Sequence, residues 1–299
     1  MAGQHVDIGD TRLWVEERGE GLPLLVLHGG PGLDHTMFGS ALDPLTDAVR
    51  LVLVDQRAQG RSDRDSDPST WTIARMAADV SALAAAMGLD RYAVLGHSFG
   101  AMVALQHAVD FSGAPVATIV SSGVPSERLL MPFVEANLAA FEPVELREQV
   151  TSSWEREATA ADGAEVLDLL IDQLPFHFGD PRDPRIASMA ADLEHGVYSP
   201  DVLRQFATGG YGGIEVEDRL ADVRHPVLVL AGRRDRTCSV EAAELTAAGI
   251  RGAELAILEG SGHMTYVEEN DAYLRLVSDF LGRHASVFSQ NAGTSGRHP

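Results

Sequence analysis

Short runs of Val, Leu and Ile recurring along the chain set the limits on what it can fold into. They are LPLLVLHG (22–29), VRLVLVDQR (49–57), YAVLGHS (92–98), PVATIVSSG (115–123), HPVLVLAGR (225–233) and AELAILEG (253–260). Several lack the polar alternation of a strand with one wet face, so they read as strands buried on both faces, as in a parallel sheet. Helical patterns at 72–88, 99–111, 239–249 and 267–283 separate most of them. Alternating strands and helices predict an α/β fold with a mostly parallel, doubly wound sheet. HVDIGD and TRLWVEERGE, ahead of the first run, predict an opening hairpin of edge strands.

The alternation lapses over 126–213. That stretch is helical in pattern, carries Trp154, Leu167, Leu169, Leu170 and Ile171, and is broken by GDPRDP. It reads as a helical cap inserted after the sixth strand, leaving 1–125 and 214–283 as the core. The cap's exit, TGGYGGIEVED, has four glycines and the freedom of a hinge. The segment 284–299, rich in Ser, Gly and Asn, reads as a disordered tail.

Charge excludes several functions. The formal net charge is −21 and no lysine occurs, so all 23 basic residues are arginine. No basic stripe is available for nucleic acid or an anionic membrane, and neither is expected as a partner. Chemistry that needs a lysine amine, such as a Schiff base or a P-loop phosphate clamp, is excluded. One cysteine, Cys238, and an opening MAGQHVDIGD with neither a basic nor an apolar region point to a cytoplasmic protein. No apolar stretch reaches the ~20 residues of a membrane helix.

The run at 92–98 leads into Gly96-His97-Ser98-Phe99-Gly100 and then a helix. A serine between two glycines at a strand-to-helix turn has the pattern of a nucleophile elbow, in which the hydroxyl stands above the sheet at a helix N-terminus. The plainer reading is a tight turn in which Ser98 caps the helix. A nucleophilic serine needs a base and an orienting carboxylate, in the chain order serine, acid, histidine on this kind of sheet. Asp235 follows the strand at 225–233 and His263 the strand at 253–260. Taken singly, each reads equally well as an ordinary loop residue. Of the 11 histidines, only His28 and His263 sit at strand C-terminal ends, and only His263 follows the acid. The expected catalytic residues are Ser98, Asp235 and His263. An oxyanion hole is expected from the backbone N–H groups of Phe99, after the serine, and Gly30, in His28-Gly29-Gly30-Pro31-Gly32.

Four segments carry a family resemblance: LHGGPG (27–32), VDQRAQGRSD (54–63), GRRDRTCS (232–239) and GSGHMTYVEE (260–269). With them the chain resembles an α/β-hydrolase of the prolyl aminopeptidase (proline iminopeptidase) family over about residues 10 to 283. The resemblance implies the α/β-hydrolase fold and release of an N-terminal proline or other small apolar residue from a short peptide. It implies no metal or organic cofactor. It also implies cap glutamates that hold the substrate's α-amino group, with Glu155 in SSWERE and Glu194 in DLEHGVYS at the matching positions. Three features depart from the family pattern: its elbow is usually Gly-Gly-Ser-Trp-Gly, Ala58 replaces a glycine, and the family's Glu-Asn-His-Tyr-Phe element is not intact in DLEHGVYS. An esterase or lactonase acting on a small uncharged ester is the alternative, told apart by whether a cap carboxylate faces Ser98.

Overall fold

The computed structural model describes residues 3–285. The tail expected over 284–299 therefore lies almost wholly outside the described residues. Eight strands form one sheet: β1 (Gln4–Asp7), β2 (Arg12–Arg18), β3 (Leu22–Leu27), β4 (Val49–Val54), β5 (Ala93–His97), β6 (Ala117–Ser121), β7 (Val227–Gly232) and β8 (Glu254–Leu258). Their order is β1-β2-β4-β3-β5-β6-β7-β8. The opening hairpin is antiparallel and β2 joins β4 antiparallel, while every other pairing is parallel.

The apolar runs become strands because both faces of the sheet are covered. Leu25, Leu27, Val52, Val54, Val94 and Val120 belong to one buried cluster, packed with α1 (Ile73–Ala86), α2 (Phe99–Asp110) and α8 (Val240–Gly249). The alternate residues Leu24, Val26, Leu51, Leu53, Leu95 and Ile119 belong to the other, with α10 (Asn270–Ala285). Period-two side chains thus serve two cores at once. Between β6 and β7 lie α3 (Met131–Ala139), α4 (Val144–Glu157), α5 (Gly163–His177), α6 (Arg185–Leu193) and α7 (Pro200–Thr208). The ends of this insertion meet in a short antiparallel bridge between Ser126 and Glu215, fastened by Ser126 Oγ donating to Glu215 at 2.9 Å.

Two sequence expectations shift. Each strand stops one to three residues before its apolar run ends, and the surplus residues form loops at the C-terminal edge of the sheet. The helix expected over 267–283 is two: α9 (Thr265–Glu268) and α10, parted at Glu269. Glu269 leaves the helical conformation with its carboxylate turned back to accept from Gly260 N–H and Ser261 Oγ, both at 2.8 Å. Among the described residues, no helix is long and apolar enough to cross a membrane.

The chain runs from β3 out to β4 and returns to β5 on the other side of β3, so the order reverses between β3 and β5. Crevices at the C-terminal ends of such strands hold ligands in open α/β sheets. The loop after β4 is fixed there by Arg57, which is 1% exposed and bonds both carboxylate oxygens of Asp79 at 2.7 Å and those of Asp10 at 3.0 and 3.1 Å. Removing one partner of a buried ion pair leaves the other's desolvation cost uncompensated, and here Arg75, 3.2 Å from Asp79 and 2.7 Å from Asp10, retains part of the pairing. Arg57→Ala should therefore cost about 2–3 kcal/mol of stability, read as a lower urea midpoint with an unchanged m value.

Candidate active site

The elbow is built by two missing side chains. Ser98 has φ 55° and ψ −118°, a region L-residues seldom occupy. A Cβ at Gly96 would lie 2.0 Å from the Gly100 carbonyl oxygen, and one at Gly100 would lie 2.2 Å from that of Leu27. Only glycine lets α2 start this close beneath the serine and this close to β3.

Ser98 Oγ lies 2.8 Å from His263 Nε2, and His263 Nδ1 lies 2.8 Å from Asp235 Oδ2. The other Asp235 oxygen accepts the N–H groups of Thr237 at 2.7 Å and Cys238 at 2.9 Å. With the carboxylate accepting throughout, His263 carries its proton on Nδ1 and offers the Nε2 lone pair to the Ser98 hydroxyl. Asp235 and His263 are buried, from loops after β7 and β8. The three residues proposed from sequence meet in one hydrogen-bonded chain.

The glycine loop after β3 is held from the loop after β4. Gln56 N–H donates to His28 Nε2 at 3.2 Å and Gln56 Nε2 to His28 O at 2.9 Å, while Gly32 N–H donates to Gln59 at 2.7 Å. His28 Nδ1 must then carry the ring proton, which goes to Gly29 O at 2.7 Å. His28 orients the loop from a fully buried position. Gly29 N–H is taken by Met37 Sδ at 3.0 Å. Among the described residues, the N–H groups of Gly30 and of Phe99, first in α2, have no hydrogen-bond acceptor. Phe99 follows Ser98 in the chain, and Gly30 lines the same cavity as Ser98.

Above these groups lies a cavity of about 400 Å³ with Gly30, Ser98 and His263 in its wall. Cap carboxylates line it too, but not the pair expected. Glu155 is at the wall, exposed and unpaired among the described residues. Glu194 lies just beyond α6, exposed and outside the cavity wall, which corrects its expected place beside the substrate. The carboxylate sequence reasoning missed is Glu157. It is 3% exposed, lines the cavity, and accepts from Gln173 Nε2 at 2.7 Å and from the Tyr211 hydroxyl. Among the described residues no cation pairs with it. Burial pushes its carboxyl above the usual range, against the opposing pull of Tyr211 and Gln173. The signal was present: Val150, Ser153 and Glu157 are the buried positions of α4, spaced as one helix face. Tyr211 also alters the expected hinge, because its hydroxyl ties the glycine-rich exit to α4.

The cap braces the histidine loop directly. His263 N–H donates to His177 O at 2.7 Å, and the two rings lie 5.1 Å apart. Glu268 accepts Gly179 N–H from the cap at 2.7 Å and Gly262 N–H from the core at 2.8 Å. Arg236 adds bonds to the carbonyls of Phe178 at 2.6 Å and Gly179 at 3.1 Å. Burial, then the charges of His263 and its neighbours, hold His97 and His177 well below the ordinary histidine range, so both stay neutral. Cys238 is buried beside the acid, and burial holds its thiol well above the usual value. It packs the acid loop as an inert thiol.

The sequence pattern of the α/β hydrolase fold family matches residues 23–270. The chain belongs to that family. This hydrolase is 26% identical over 275 residues to the proline iminopeptidase of Heyndrickxia coagulans, covering 89% of this chain and 92% of that protein. It is 28% identical over 284 residues to that of Lactobacillus delbrueckii subsp. bulgaricus, with coverage of 89% and 92%. The crystal structure of the proline iminopeptidase of Mycobacterium smegmatis aligns with a TM-score of 0.74 at 26% identity, covering 95% of this chain and 98% of that one. The resemblance in the four sequence segments thus extends along most of the hydrolase.

The elbow makes a prediction. Gly100→Ala forces a methyl group against the backbone of β3, so it should cost about 3 kcal/mol or more, measured by urea unfolding, and abolish hydrolysis of a p-nitrophenyl ester. A variant of normal stability would show that the approach at Gly100 is looser than described.

Proposed function

We propose that this hydrolase is a serine aminopeptidase releasing an apolar N-terminal residue, proline included, from short peptides through an acyl-enzyme. The observation that carries the reading is Glu157, a buried carboxylate with no cation among the described residues, in the wall of the cavity that contains Ser98. A buried carboxylate held only by neutral donors is costly, and a substrate ammonium is the complement it lacks. Glu155 adds a second negative charge at that wall.

In this reading Ser98 Oγ attacks the scissile carbonyl as His263 Nε2 takes its proton, and Asp235 stabilises the imidazolium. Gly30 and Phe99 N–H groups hold the oxyanion, and the α2 N-terminus adds its partial positive charge. Collapse breaks the C–N bond while His263 returns the proton to the leaving amine. Water, activated by the same histidine, then releases the acyl group and restores Ser98. The relatives' names support a peptidase over an esterase, as does a buried cap carboxylate in the wall of the cavity that contains Ser98.

The test is the pH dependence of kcat/KM for proline β-naphthylamide, its N-acetylated form and a p-nitrophenyl ester, on wild type and Glu157→Gln. The free-amine substrate should be cleaved, and acetylation should abolish cleavage. Burial raises the Glu157 carboxyl, so as pH falls it protonates earlier than an ordinary glutamate would. The amine substrate should thus lose kcat/KM on the acid side beyond any loss it shares with the ester. Glu157→Gln should lower kcat/KM for the amine about 10- to 100-fold, the worth of one hydrogen bond to a charged group, and remove the extra acid limb. Ester cleavage with no amine-substrate cleavage would overturn the reading in favour of an esterase.

A further inference from the structure

Five of the eight methionines in the chain line the cavity above Ser98: Met37, Met102, Met131, Met189 and Met264. They come from five separate segments. Met37 follows the glycine loop, Met102 lies in α2, Met264 adjoins His263, and Met131 and Met189 close the cavity from α3 and α6 of the cap. All but Met131 are almost fully buried. Methionine has no branch and a polarisable sulfur, so a wall that carries five of them among its leucines can reshape around apolar groups of differing outline.

The size of the cavity points the same way. A space of roughly 150 Å³ holds a benzene ring, and this one has about 400 Å³. A prolyl ring leaves most of it empty, whereas a cavity this large suits a bulkier apolar group. The end of the substrate that fills it follows from the site. If the α-amino group stops at Glu155 and Glu157, the chain runs no further into the cap, and what occupies the methionine wall is the side chain of the first residue.

We propose that the cavity is an acyl-side pocket for large apolar groups of varied shape, so that N-terminal Phe, Leu and Met are processed in preference to Pro and Ala. The inference rests on the aminopeptidase reading for the identity of the acyl group and on the cavity alone for its size. Bulk is worth most where the wall closes on it: one methylene in a fitted pocket changes kcat/KM about 10- to 200-fold.

Two substrate series on the full-length hydrolase separate the claims. The first is the β-naphthylamides of Ala, Pro, Leu, Met and Phe; the second is p-nitrophenyl acetate, butyrate, hexanoate and 3-phenylpropanoate. The expected result is a kcat/KM for Phe and Leu at least tenfold above that for Ala and Pro, with the phenylpropanoate and hexanoate above the acetate by a similar factor. If no naphthylamide is cleaved but the ester series still climbs with size, the pocket inference stands and the aminopeptidase reading falls. Cleavage of Pro or Ala at rates equal to or above Phe and Leu, with a flat or falling ester series, overturns the inference and leaves the peptidase reading intact. Ala207→Leu, which fills part of the cavity wall, should lower the Phe-to-Ala and phenylpropanoate-to-acetate ratios at least threefold. Unchanged ratios in a folded variant would also overturn the inference.

Discussion

The site depends on a backbone approach that no side chain could share. Ser98 stands above the sheet in a strained conformation because positions 96 and 100 carry no Cβ, so α2 begins against β3 and beneath the serine. From that one constraint follow the direction of the hydroxyl, the position of the Phe99 N–H and the place of the cavity above both. The loops that complete the site then have only to meet Ser98. Asp235 is fixed by two backbone donors of its own loop, and His263 is fixed by Asp235 on one side and by the His177 carbonyl on the other.

That last bond makes the cap part of the machinery. Glu268 joins the Gly179 N–H of the cap to the Gly262 N–H of the core, next to His263, and Arg236, next to Asp235, binds the Phe178 and Gly179 carbonyls of the same turn of the cap. The acid and histidine loops are thus held in register by the segment that also roofs the cavity. Glu269 shows how local demand overrides helical pattern: its carboxylate is needed at Gly260 and Ser261, and the last helix breaks to supply it.

Legibility in the sequence follows the strength of local constraint. Strands buried on both faces are rich in Val, Leu and Ile, so β3 to β7 can be read from their runs, the edge strand β8 from its own short apolar run, and Gly96, Ser98, Asp235 and His263 from their places at strand ends. The cap is less legible because its helices bury narrow faces against one another and against a cavity. Glu155 and Glu194 were reached through resemblance, and the structure moves the weight to Glu157, which only the spacing of Val150, Ser153 and Glu157 on α4 marks as inward. The bonds from Glu268 and His177 to the histidine loop have no sequence signature, since their partners are backbone groups far along the chain. The five methionines are scattered over more than 200 residues, and only folding gathers them.

The central claim is that Ser98 is the nucleophile and His263 its base. Its most direct test is reaction with a fluorophosphonate followed by peptide mapping in the mass spectrometer. The account predicts one adduct, on Ser98, formed by the wild type and lost in both Ser98→Ala and a folded His263→Ala. A stable adduct on another residue, or ester hydrolysis retained at the wild-type rate by Ser98→Ala, would contradict it.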